Sequence, residues 1–581
     1  MFENLLYFAL QIVLRRSWNE LMCATREPAQ MQSARLLDIV SRNQETTFGR
    51  EHGFSGIRSV RDFRERVPVR SYEEFQPYIK RMRFGENNVL TAETPELFCR
   101  TSGSTGEPKF IPVTFSFYEE FSKMQKMWQR KMVRDHRGML GGKILSAMSP
   151  EIGGYTECGI PYGAMSGHCY RLQYPHTQML YAVPYDVMCV ADFDARYYLI
   201  LRLALEQNVT ALAAMNPSTL LLLMKKLNRH GSPMAQDIAE GTVCHDLNIE
   251  PRLRRMLEQR LRPNIKRARE IEALLSRGRI RATDVWKNLS IILTWQGGSA
   301  GFYLREFPEY FPDVPVRDFG LVATEGYFSL PLWSNTPNAL LAITGHFFEF
   351  FEVGPDGNRR ECARDCEQLE KGKDYFIVVT TSGGLYRYDI CDIVTVVDFY
   401  NKTPIILFKQ KGGNTISITG EKVTEFQVTE AFCAATASLP ITVDGFTTTL
   451  QLSDPPSYVL MVETASRDDQ ALEELLAAFE RGLRLRNIEY ASKRDSQRLG
   501  KPLLRLLEPG FFETCRKRRV EQGAPDGQYK IPHVMQDTGV LGEMHPVAEI
   551  VIGERQPREA RGIPSPESRA FDPHRRGDQS R

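Results

Sequence analysis

The sequence has no long hydrophobic run, and neither sign of charge is in clear excess. Its apolar stretch near the start, residues 5–14, is much shorter than the roughly 20 residues that a membrane-spanning helix needs. The basic pair Arg15-Arg16 follows this stretch and no small-residue cleavage site comes after it, which argues against a secretory signal. Lys and Arg total 74 against 72 Asp and Glu, a net charge of +2, whereas a dedicated nucleic-acid binder carries a basic excess. We therefore expect no integral membrane segment and no nucleic-acid partner.

The sequence also lacks the cysteine and catalytic patterns of several protein classes. Its 11 cysteines are scattered and odd in number, and the closest pair, Cys362 and Cys366, has no second Cys or His pair nearby at metal-ligand spacing. This pattern indicates reduced thiols in a cytoplasmic protein and argues against a disulfide framework or a zinc site. No Ser-His-Asp order, HExxH or GxSxG motif stands out, so a hydrolase function has no motif to support it.

Two helical stretches each leave two interpretations open. Residues 3–22 predict an amphipathic helix, which either packs on the body of the protein or lies on a membrane surface. Residues 252–283 predict a strongly basic helical block. This block is either a surface for nucleic acid or an acidic partner, or a solvated helix face.

The rest of the chain predicts a large α/β protein. Its 581 residues are 42% hydrophobic and 25% charged, which is typical of folded globular proteins. Residues 1–90 have helical patterns, and from about residue 95 to 400 helical patterns alternate with short β-rich runs at 144–148, 209–215, 289–294, 376–381 and 393–399. Such alternation predicts sheets covered by helices.

A polar, Gly-rich segment, KQKGGNTISITG at residues 409–420, divides the chain. We predict a large N-terminal domain over residues 1–410 and a smaller α+β domain over residues 411–552. Residues 553–581 are rich in Arg, Pro, Ser and Gly without hydrophobic periodicity, so we expect a disordered tail there.

The strongest local signal is RTSGSTGEPKFIPVT at residues 100–114. Its glycines allow backbone N–H groups to converge on an anion, and Lys109 adds a mobile ammonium. Phe110 stands where a Walker A loop has Ser or Thr, so this is not the usual P-loop. The alternative is a Gly/Ser-rich hairpin with a solvated lysine. The candidate phosphate-binding residues are Thr101, Ser102, Gly103, Ser104, Thr105, Gly106 and Lys109.

Two carboxylates stand in unusual contexts. Glu325, in LVATEGYFSL, is either a Mg²⁺ ligand, since that hard cation prefers carboxylate and phosphate oxygens, or a surface residue in a turn. In LYRYDICDIVTV, strand alternation puts Asp392 on an otherwise apolar face, where a carboxylate is costly without a partner. A ribose diol would supply that partner. On the opposite face Arg387 and Asp389 could pair with each other.

These motifs resemble a known family. The 100–114 segment resembles the phosphate-binding motif of the adenylate-forming superfamily, which includes acyl-CoA ligases and firefly luciferase. Its flanks, FRERVPVRSYEEFQPYIKRMRFGENNVL and KFIPVT, resemble the Gretchen Hagen family of acyl-acid amido synthetases, bacterial members most closely, in register over about residues 47–534. The resemblance implies a large adenylate-forming domain of β-sheets packed with helices plus a small β-barrel, followed by a smaller mobile C-terminal domain.

The resemblance also implies roles for the residues on these motifs. The loop and Lys109 would bind ATP phosphates, Glu325 would hold Mg²⁺, and Ala323 and Thr324 would lie against the adenine. Leu321 departs from the family, which has an aromatic residue there, and Thr324 replaces a serine.

Further roles follow from three other segments. Asp392 would bind the ribose of ATP, although Cys391 replaces the family's glycine before it. Lys422 in ITGEKVTE would contact the nucleotide, and Lys530 in GQYKIPHV would reach the α-phosphate and the acyl carboxylate. The segment WQGGSAGFY would line the nucleotide site through Gly297 and Gly298.

The implied reaction has two steps. A small carboxylic acid attacks the α-phosphate of ATP to form an acyl-adenylate and pyrophosphate, with Mg²⁺ and the catalytic lysines Lys109, Lys422 and Lys530. An amine, which the resemblance indicates is an amino acid, then displaces AMP and forms an amide. Two alternatives stay open: another acceptor such as coenzyme A, or a non-catalytic nucleotide-binding homologue, which the departures at Leu321 and Cys391 keep possible.

Overall fold

A computed structural model describes residues 7–8, 11–100, 109–173, 175–354, 357–413, 415–419, 421–453, 455–521, 530–535 and 546–551. The predicted phosphate-binding residues 101–106 and the tail at 553–581 lie outside these ranges. In the described part of the chain, no helix combines the length and the apolar character that crossing a bilayer requires.

The chain begins with helices, as its pattern predicts. They are stabilised by local capping: the Ser71 hydroxyl caps the fifth helix, and Glu74 accepts a hydrogen bond from the Ser71 N–H at 2.8 Å. Apolar residues of that helix at Tyr72, Phe75 and Ile79 face the core. The helices are α1 (Arg15–Ala24), α2 (Pro28–Arg42), α3 (Thr47–Glu51), α4 (Val60–Arg66) and α5 (Tyr72–Arg83).

A four-stranded parallel sheet forms one layer of the large body, in the order β3-β6-β7-β8. The strands are β3 (Lys143–Ser146), β6 (Val209–Ala213), β7 (Ile291–Leu293) and β8 (Val316–Arg317). Every residue of β6 is buried, as expected for a parallel strand covered on both faces. The Asn216 side chain accepts from the Ser218 N–H at 3.0 Å and so begins the helix after β6.

Helices connect and cover this sheet. Between β3 and β8 they alternate with the parallel strands, which confirms the α/β prediction. They are α6 (Phe115–Asp135), α7 (Met165–Arg171), α8 (Pro175–Gln178), α9 (Tyr185–Met188), α10 (Phe193–Ala204), α11 (Pro217–Glu240), α12 (Pro251–Arg260), α13 (Ile265–Leu275), α14 (Ala282–Val285), α15 (Ala300–Leu304) and α16 (Phe307–Tyr310).

A smaller mixed sheet, β2-β1-β5-β4, lies at the start of the large body. Its strands are β1 (Leu97–Arg100), β2 (Phe110–Val113), β4 (Gly154–Tyr155) and β5 (Pro161–Gly163). Strands β1 and β2 pair antiparallel, with Arg100 opposite Phe110. Lys109 therefore stands directly before a strand whose position is set by its pairing.

The basic block at 252–283 folds as α12 and α13. The Arg254 guanidinium donates to the backbone oxygens of Val243 and Cys244, at 3.3 and 3.1 Å. Arg267 donates to the backbone oxygens of Leu205 at 2.7 Å and Val285 at 3.0 Å. These two arginines tie the helices to neighbouring segments, and the two interpretations of the rest of the basic block both stay open.

A seven-stranded antiparallel sheet follows the parallel sheet along the chain. Its order is β11-β12-β17-β16-β15-β13-β14, and in the described chain its end strands do not pair with each other, so the sheet stays open. The strands are β11 (Ser329–Leu330), β12 (Ala339–Leu341), β13 (Phe347–Val353), β14 (Arg359–Arg364), β15 (Asp374–Thr380), β16 (Tyr388–Tyr400) and β17 (Thr403–Lys411).

The remaining elements form two hairpins and the C-terminal α+β region. The hairpins are β9 (Val322–Ala323) with β10 (Gly326–Tyr327), and β18 (Thr415–Ile416) with β19 (Val423–Thr424). The C-terminal sheet has the order β20-β21-β22-β23 and packs with four helices. These elements are α17 (Glu425–Ala437), β20 (Gly445–Gln451), β21 (Ser457–Glu463), α18 (Asp469–Arg486), α19 (Ile488–Asp495), β22 (Leu503–Leu507), α20 (Phe511–Glu521) and β23 (Ala548–Val551).

The C-terminal region packs against α11 and α10 of the large body through ion pairs and buried hydrogen bonds. Lys225 of α11 lies 2.7 Å from Asp444 of the C-terminal region and 3.1 Å from Glu306 of the large body. The buried Arg516 donates to the Tyr197 hydroxyl at 2.9 Å. These contacts set the position from which the C-terminal residues reach the functional site.

Candidate active site

A cleft of about 1540 Å³ lies between the parallel sheet, the seven-stranded sheet and the C-terminal region. It includes the carboxyl ends of β3, β6 and β7, where open α/β sheets commonly bind ligands. Sequence-predicted residues from distant segments meet here: Lys109, Gly297, Gly298, Ala323, Thr324, Glu325, Asp392 and Lys530.

Lys109 is held at the cleft by two tyrosines. Its ammonium nitrogen lies 5.2 Å from the ring centre of Tyr72 and 3.5 Å from the Tyr388 hydroxyl. The Tyr72 hydroxyl also accepts from the Phe110 N–H at 2.7 Å, which fixes the start of β2. Burial raises the pKa of Tyr388, so its hydroxyl stays neutral beside the lysine. The two tyrosines thus hold the Lys109 ammonium at the cleft.

Glu325 lies at the tip of the two-residue turn between β9 and β10. The residue after Glu325 is Gly326, and only glycine fits there. A Cβ on Gly326 would lie 2.5 Å from Phe328 Cε1 and 2.6 Å from His346 Nε2. The Glu325 charge contributes to raising the pKa values of Tyr388 and Lys411 on neighbouring strands. The Glu325 carboxylate is therefore close enough to Tyr388 and Lys411 for its charge to influence both side chains.

Asp392 has a partner that the sequence analysis missed. It lies opposite Lys411 in the β16–β17 register, and its Oδ1 is 2.8 Å from the Lys411 ammonium. Asp392 is 4% exposed. Burial lowers the pKa of Lys411, but Asp392 and then Glu325 raise it, and the net shift is upward. Lys411 could have been predicted as the partner from the β16–β17 hairpin, because an antiparallel return of β17 along β16 brings Lys411 opposite Asp392.

The predicted pairing of Arg387 with Asp389 is wrong. Arg387 turns inward and donates to Glu349 at 2.8 Å, while Asp389 pairs with Arg359 at 2.5 Å. Strand alternation does not extend to Arg387, because β16 begins at Tyr388 and the Arg387 backbone is left-handed, with φ of +49°. This irregularity gives Arg387 and Asp389 separate partners.

Cys391 occupies the bulge beside Asp392 in a left-handed conformation, with φ of +56°. Its N–H donates to Asp389 Oδ1 at 2.8 Å, which holds the turn. Left-handed backbone favours glycine, so a side chain here stores strain. Burial and then Asp389 raise the pKa of the Cys391 thiol to about 11, so the thiol is neutral near pH 7.

Lys530 reaches the cleft from the C-terminal region. Its ammonium nitrogen lies 4.3 Å from the ring centre of Trp295, within range of a cation–π interaction. Burial lowers its pKa, and the charges of Glu425, Asp392 and Asp318 oppose that shift. A desolvated ammonium in such a position attracts a bound anion strongly.

Asp318 is a buried carboxylate at the cleft that the sequence analysis also missed. It accepts from the N–H groups of Gln296 and Gly320, both at 2.6 Å, and so anchors the loop after β7. Burial raises its pKa to about 7. The anchored loop includes Gly298, whose φ is +58° and whose added Cβ would lie 2.8 Å from Phe408 Cε1. Gly298 is therefore required for this close approach.

Lys422 is not among the residues that line the cleft in this structure, and its nucleotide contact stays a prediction. The backbone oxygens of Glu421 and Lys422 accept from the Asn487 side chain at 3.1 and 3.2 Å. The Glu421 carboxylate accepts from the Tyr458 hydroxyl at 2.6 Å. These bonds tie Glu421 and the Lys422 backbone to the C-terminal core.

One lobe of the cleft is largely apolar. One face of α6 lines it at helical spacing, and methionines from other segments complete the wall. Methionine side chains adapt to ligands of irregular shape. The lining residues of this lobe include Phe121, Gln125, Trp128, Gln129, Met132, Met139, Met148 and Met165.

The fold and the cleft define a multidomain α/β protein with a small-molecule site that combines lysines, carboxylates and an apolar lobe. Family models cover most of the chain. The GH3 family N-terminal domain matches residues 18–316, the GH3 family central domain residues 339–411, and the GH3 family C-terminal domain residues 426–539. The chain belongs to the GH3 family.

Curated relatives and a solved structure agree with this assignment. Indole-3-acetic acid-amido synthetase GH3.4 from Arabidopsis thaliana is 25% identical over 556 residues, covering 89% of this chain and 91% of the relative. Jasmonoyl-L-amino acid synthetase JAR6 from Nicotiana attenuata is 26% identical over 535 residues, covering 87% and 91%. The structure of GH3.15 acyl acid amido synthetase matches with a TM-score of 0.83 at 23% identity, covering 92% of this chain and 97% of that one. That match shows a shared fold.

Proposed function

We propose that this protein is an ATP-dependent acyl-acid amido synthetase. It adenylates a small carboxylic acid, releasing pyrophosphate, and transfers the acyl group to an amine, most simply an amino acid. The observation that carries the proposal is the convergence of Lys109, Glu325, Asp392 and Lys530 on one cleft beside an apolar lobe. The relatives named as amino-acid-conjugating synthetases support it.

The first step needs charge neutralisation and alignment more than covalent chemistry. Lys109 stabilises negative charge on the ATP phosphates, together with the 101–106 loop that the motif predicts. Glu325 would hold Mg²⁺, which when bound neutralises charge on phosphate oxygens. The site fits such a cation because Glu325 is a carboxylate at a hairpin tip whose charge acts on cleft residues.

The carboxylate Asp392 orients the sugar of the nucleotide, and Lys411 holds that carboxylate in place. The desolvated ammonium of Lys530 attracts the α-phosphate and the acid's carboxylate. The acid's body occupies the apolar lobe along α6, so we propose an acid with an uncharged, apolar body. Burial of that body excludes water from the mixed anhydride.

We also propose that the chain divides near residue 410 and that the smaller domain moves between the two steps. Strand β17 ends at Lys411 and is followed by Gly412 and Gly413, where an added Cβ on Gly413 would contact nothing within 4 Å. Movement of the smaller domain about Gly412 and Gly413, which leaves Lys411 with its strand, would withdraw Lys530 and admit the amine. The same movement is the route by which Lys422 could approach the nucleotide.

The test is Mg²⁺-dependent ATP–pyrophosphate exchange with a panel of carboxylic acids, followed by product trapping with amino acids or coenzyme A. We expect exchange with apolar acids and an amide product. No exchange with any acid in folded protein would instead support a non-catalytic homologue, and a thioester product would support coenzyme A as acceptor.

Variants then test the site. Lys109→Ala and Asp392→Ala should abolish exchange, because each removes a charge that faces the bound nucleotide. The matched control is Lys371→Ala, an exposed lysine that pairs with Asp398 on the far part of β16 and should leave exchange unchanged. Near-wild-type exchange in both site variants would refute the assignment of these residues.

A further inference from the structure

Near the N-terminus, several of the described residues among 7–8 and 11–18 pack on the protein along one side. Tyr7 lies under the Arg137 guanidinium at 4.7 Å, Gln11 donates to the Arg130 backbone oxygen at 3.1 Å, and Trp18 lies under Arg130 at 5.3 Å. These contacts attach the segment to α6 and the residues after it. For the described residues of the predicted helix over 3–22 they favour the interpretation of a helix packed on the body, and residues 3–6 and 9–10 lie outside the described ranges.

The other side of the segment exposes apolar side chains. Phe8, Ile12 and Val13 are 57%, 70% and 74% exposed, although large apolar residues are normally buried. Arg15 and Arg16 follow directly and are also exposed. An apolar face bordered by arginines is the pattern of a helix that lies in the interface of a membrane.

The surroundings of this patch are also basic. Arg130, on the packed side, is buried, and burial and then the positive charges of Arg134 and Arg15 lower its pKa, while Tyr7 opposes the shift. Asp135 pairs with Lys131 and Arg317 and also lies 4.0 Å from Arg134, and Glu20 pairs with Lys123, so Arg15 and Arg16 are the exposed arginines that border the apolar residues. The surface around the exposed apolar residues therefore carries a local excess of positive charge on a nearly neutral chain.

We propose that Phe8, Ile12 and Val13, together with the surrounding arginines, dock this protein on an anionic membrane surface. The apolar side chains enter the boundary between headgroups and acyl chains, and Arg15 and Arg16 lie at the level of the phosphate groups. No helix has to cross the bilayer for this contact. The proposal is independent of the proposed reaction.

The docking surface and the apolar lobe of the cleft lie on opposite sides of α6. Phe121, Gln125 and Met132 line the cleft from one face of the helix, and Arg130 meets the N-terminal segment from the other. A membrane-bound orientation therefore leaves the cleft open on the far side of the helix.

The test is co-sedimentation of the full chain with phosphatidylcholine vesicles, with and without phosphatidylglycerol, at low and high salt. We expect binding to the anionic vesicles, weakened by salt, and little binding to the neutral ones. Ile12→Ser/Val13→Ser should lose most of the binding. Arg15→Gln/Arg16→Gln should weaken it at least roughly tenfold, since each basic residue near an anionic surface adds to the attraction.

Two control variants make the test specific. Arg15→Lys/Arg16→Lys keeps the charge and should keep the binding. Leu485→Ser/Ile488→Ser removes two apolar residues that are 83% and 85% exposed in the C-terminal region and should bind like wild type. Thermal unfolding of each variant verifies that it is folded.

Three results would overturn the proposal. Equal binding of wild type to both vesicle types, or to neither, would remove the anionic surface as the partner. Wild-type binding by the Ile12→Ser/Val13→Ser variant would remove the patch. A dimer in light scattering that this variant dissociates would show that the patch contacts a second copy of the chain instead.

Discussion

The ion pair between Lys411 and Asp392 can be tested by replacing Lys411 with methionine. The change leaves Asp392, which is 4% exposed, without its partner 2.8 Å away. Removing one partner of a fully buried pair typically costs about 3–5 kcal/mol. Because half of the Lys411 side chain is exposed to the cleft, water screens this pair, and we expect a smaller loss of about 1–2 kcal/mol.

The assay is a double-mutant cycle of Lys411→Met, Asp392→Asn and the combined variant, measured by urea unfolding at pH 7. All five tryptophans lie before residue 411, so their fluorescence follows unfolding of the large body. The combined variant should be more stable than the sum of the single losses by about 1–2 kcal/mol, because it leaves no unpaired charge.

A matched control is an exposed ion pair whose aspartate, Asp398, lies on the same strand, β16, as Asp392. Lys371 and Asp398 form a pair whose side chains are 62% and 61% exposed, and the cycle on that pair should give about 0.5 kcal/mol or less. If the Lys411–Asp392 coupling is no larger than that of the Lys371–Asp398 pair, the argument that Asp392 depends on Lys411 is refuted.

Three further changes have expected outcomes. Asp318→Asn should flatten the pH dependence of the free energy of unfolding. Burial raises the Asp318 pKa to about 7, so between about pH 4 and 7 the folded state binds a proton that the unfolded state does not. Wild-type stability should therefore fall as pH rises through that window, and urea titrations at several pH values measure the difference between the two proteins. Cys391→Gly should stabilise the protein by about 0.5–1 kcal/mol in thermal unfolding by relieving the left-handed backbone, and an unchanged or lower midpoint would contradict the strain. Gly326→Ala should destabilise by about 1–3 kcal/mol and reduce exchange, because its Cβ would collide with Phe328 and His346 and displace Glu325; normal exchange would show that the turn adapts.

Local patterns were sufficient to predict most elements of the large body. The runs at 209–215 and 376–381 are strands because their residues are β-branched or apolar and are bounded by turn or capping residues. The helix after Asn216 begins where a capping side chain stands. The open seven-stranded sheet was not predictable in this way, since closure depends on the pairing of strands that are distant in sequence.

The sequence by itself determined which residues have the chemistry for this site. Each of the four predicted residues lies in a short motif whose residue types indicate both the functional side chain and the turn beside it. They are Lys109, Glu325, Asp392 and Lys530. Residue type and neighbouring glycines are local properties, so they can be read without the fold.

Only the tertiary structure decided which of these residues work together. The partner of Asp392 is Lys411 because two strands pair in one register, and the anchor of the Gly297–Gly298 loop is Asp318 because β7 and β8 are neighbours. The Lys422 backbone is held in the C-terminal core because its oxygen accepts from the Asn487 side chain. Charge and hydrogen-bond partners act over a few ångströms of space, and the chain brings residues within that range only when it folds.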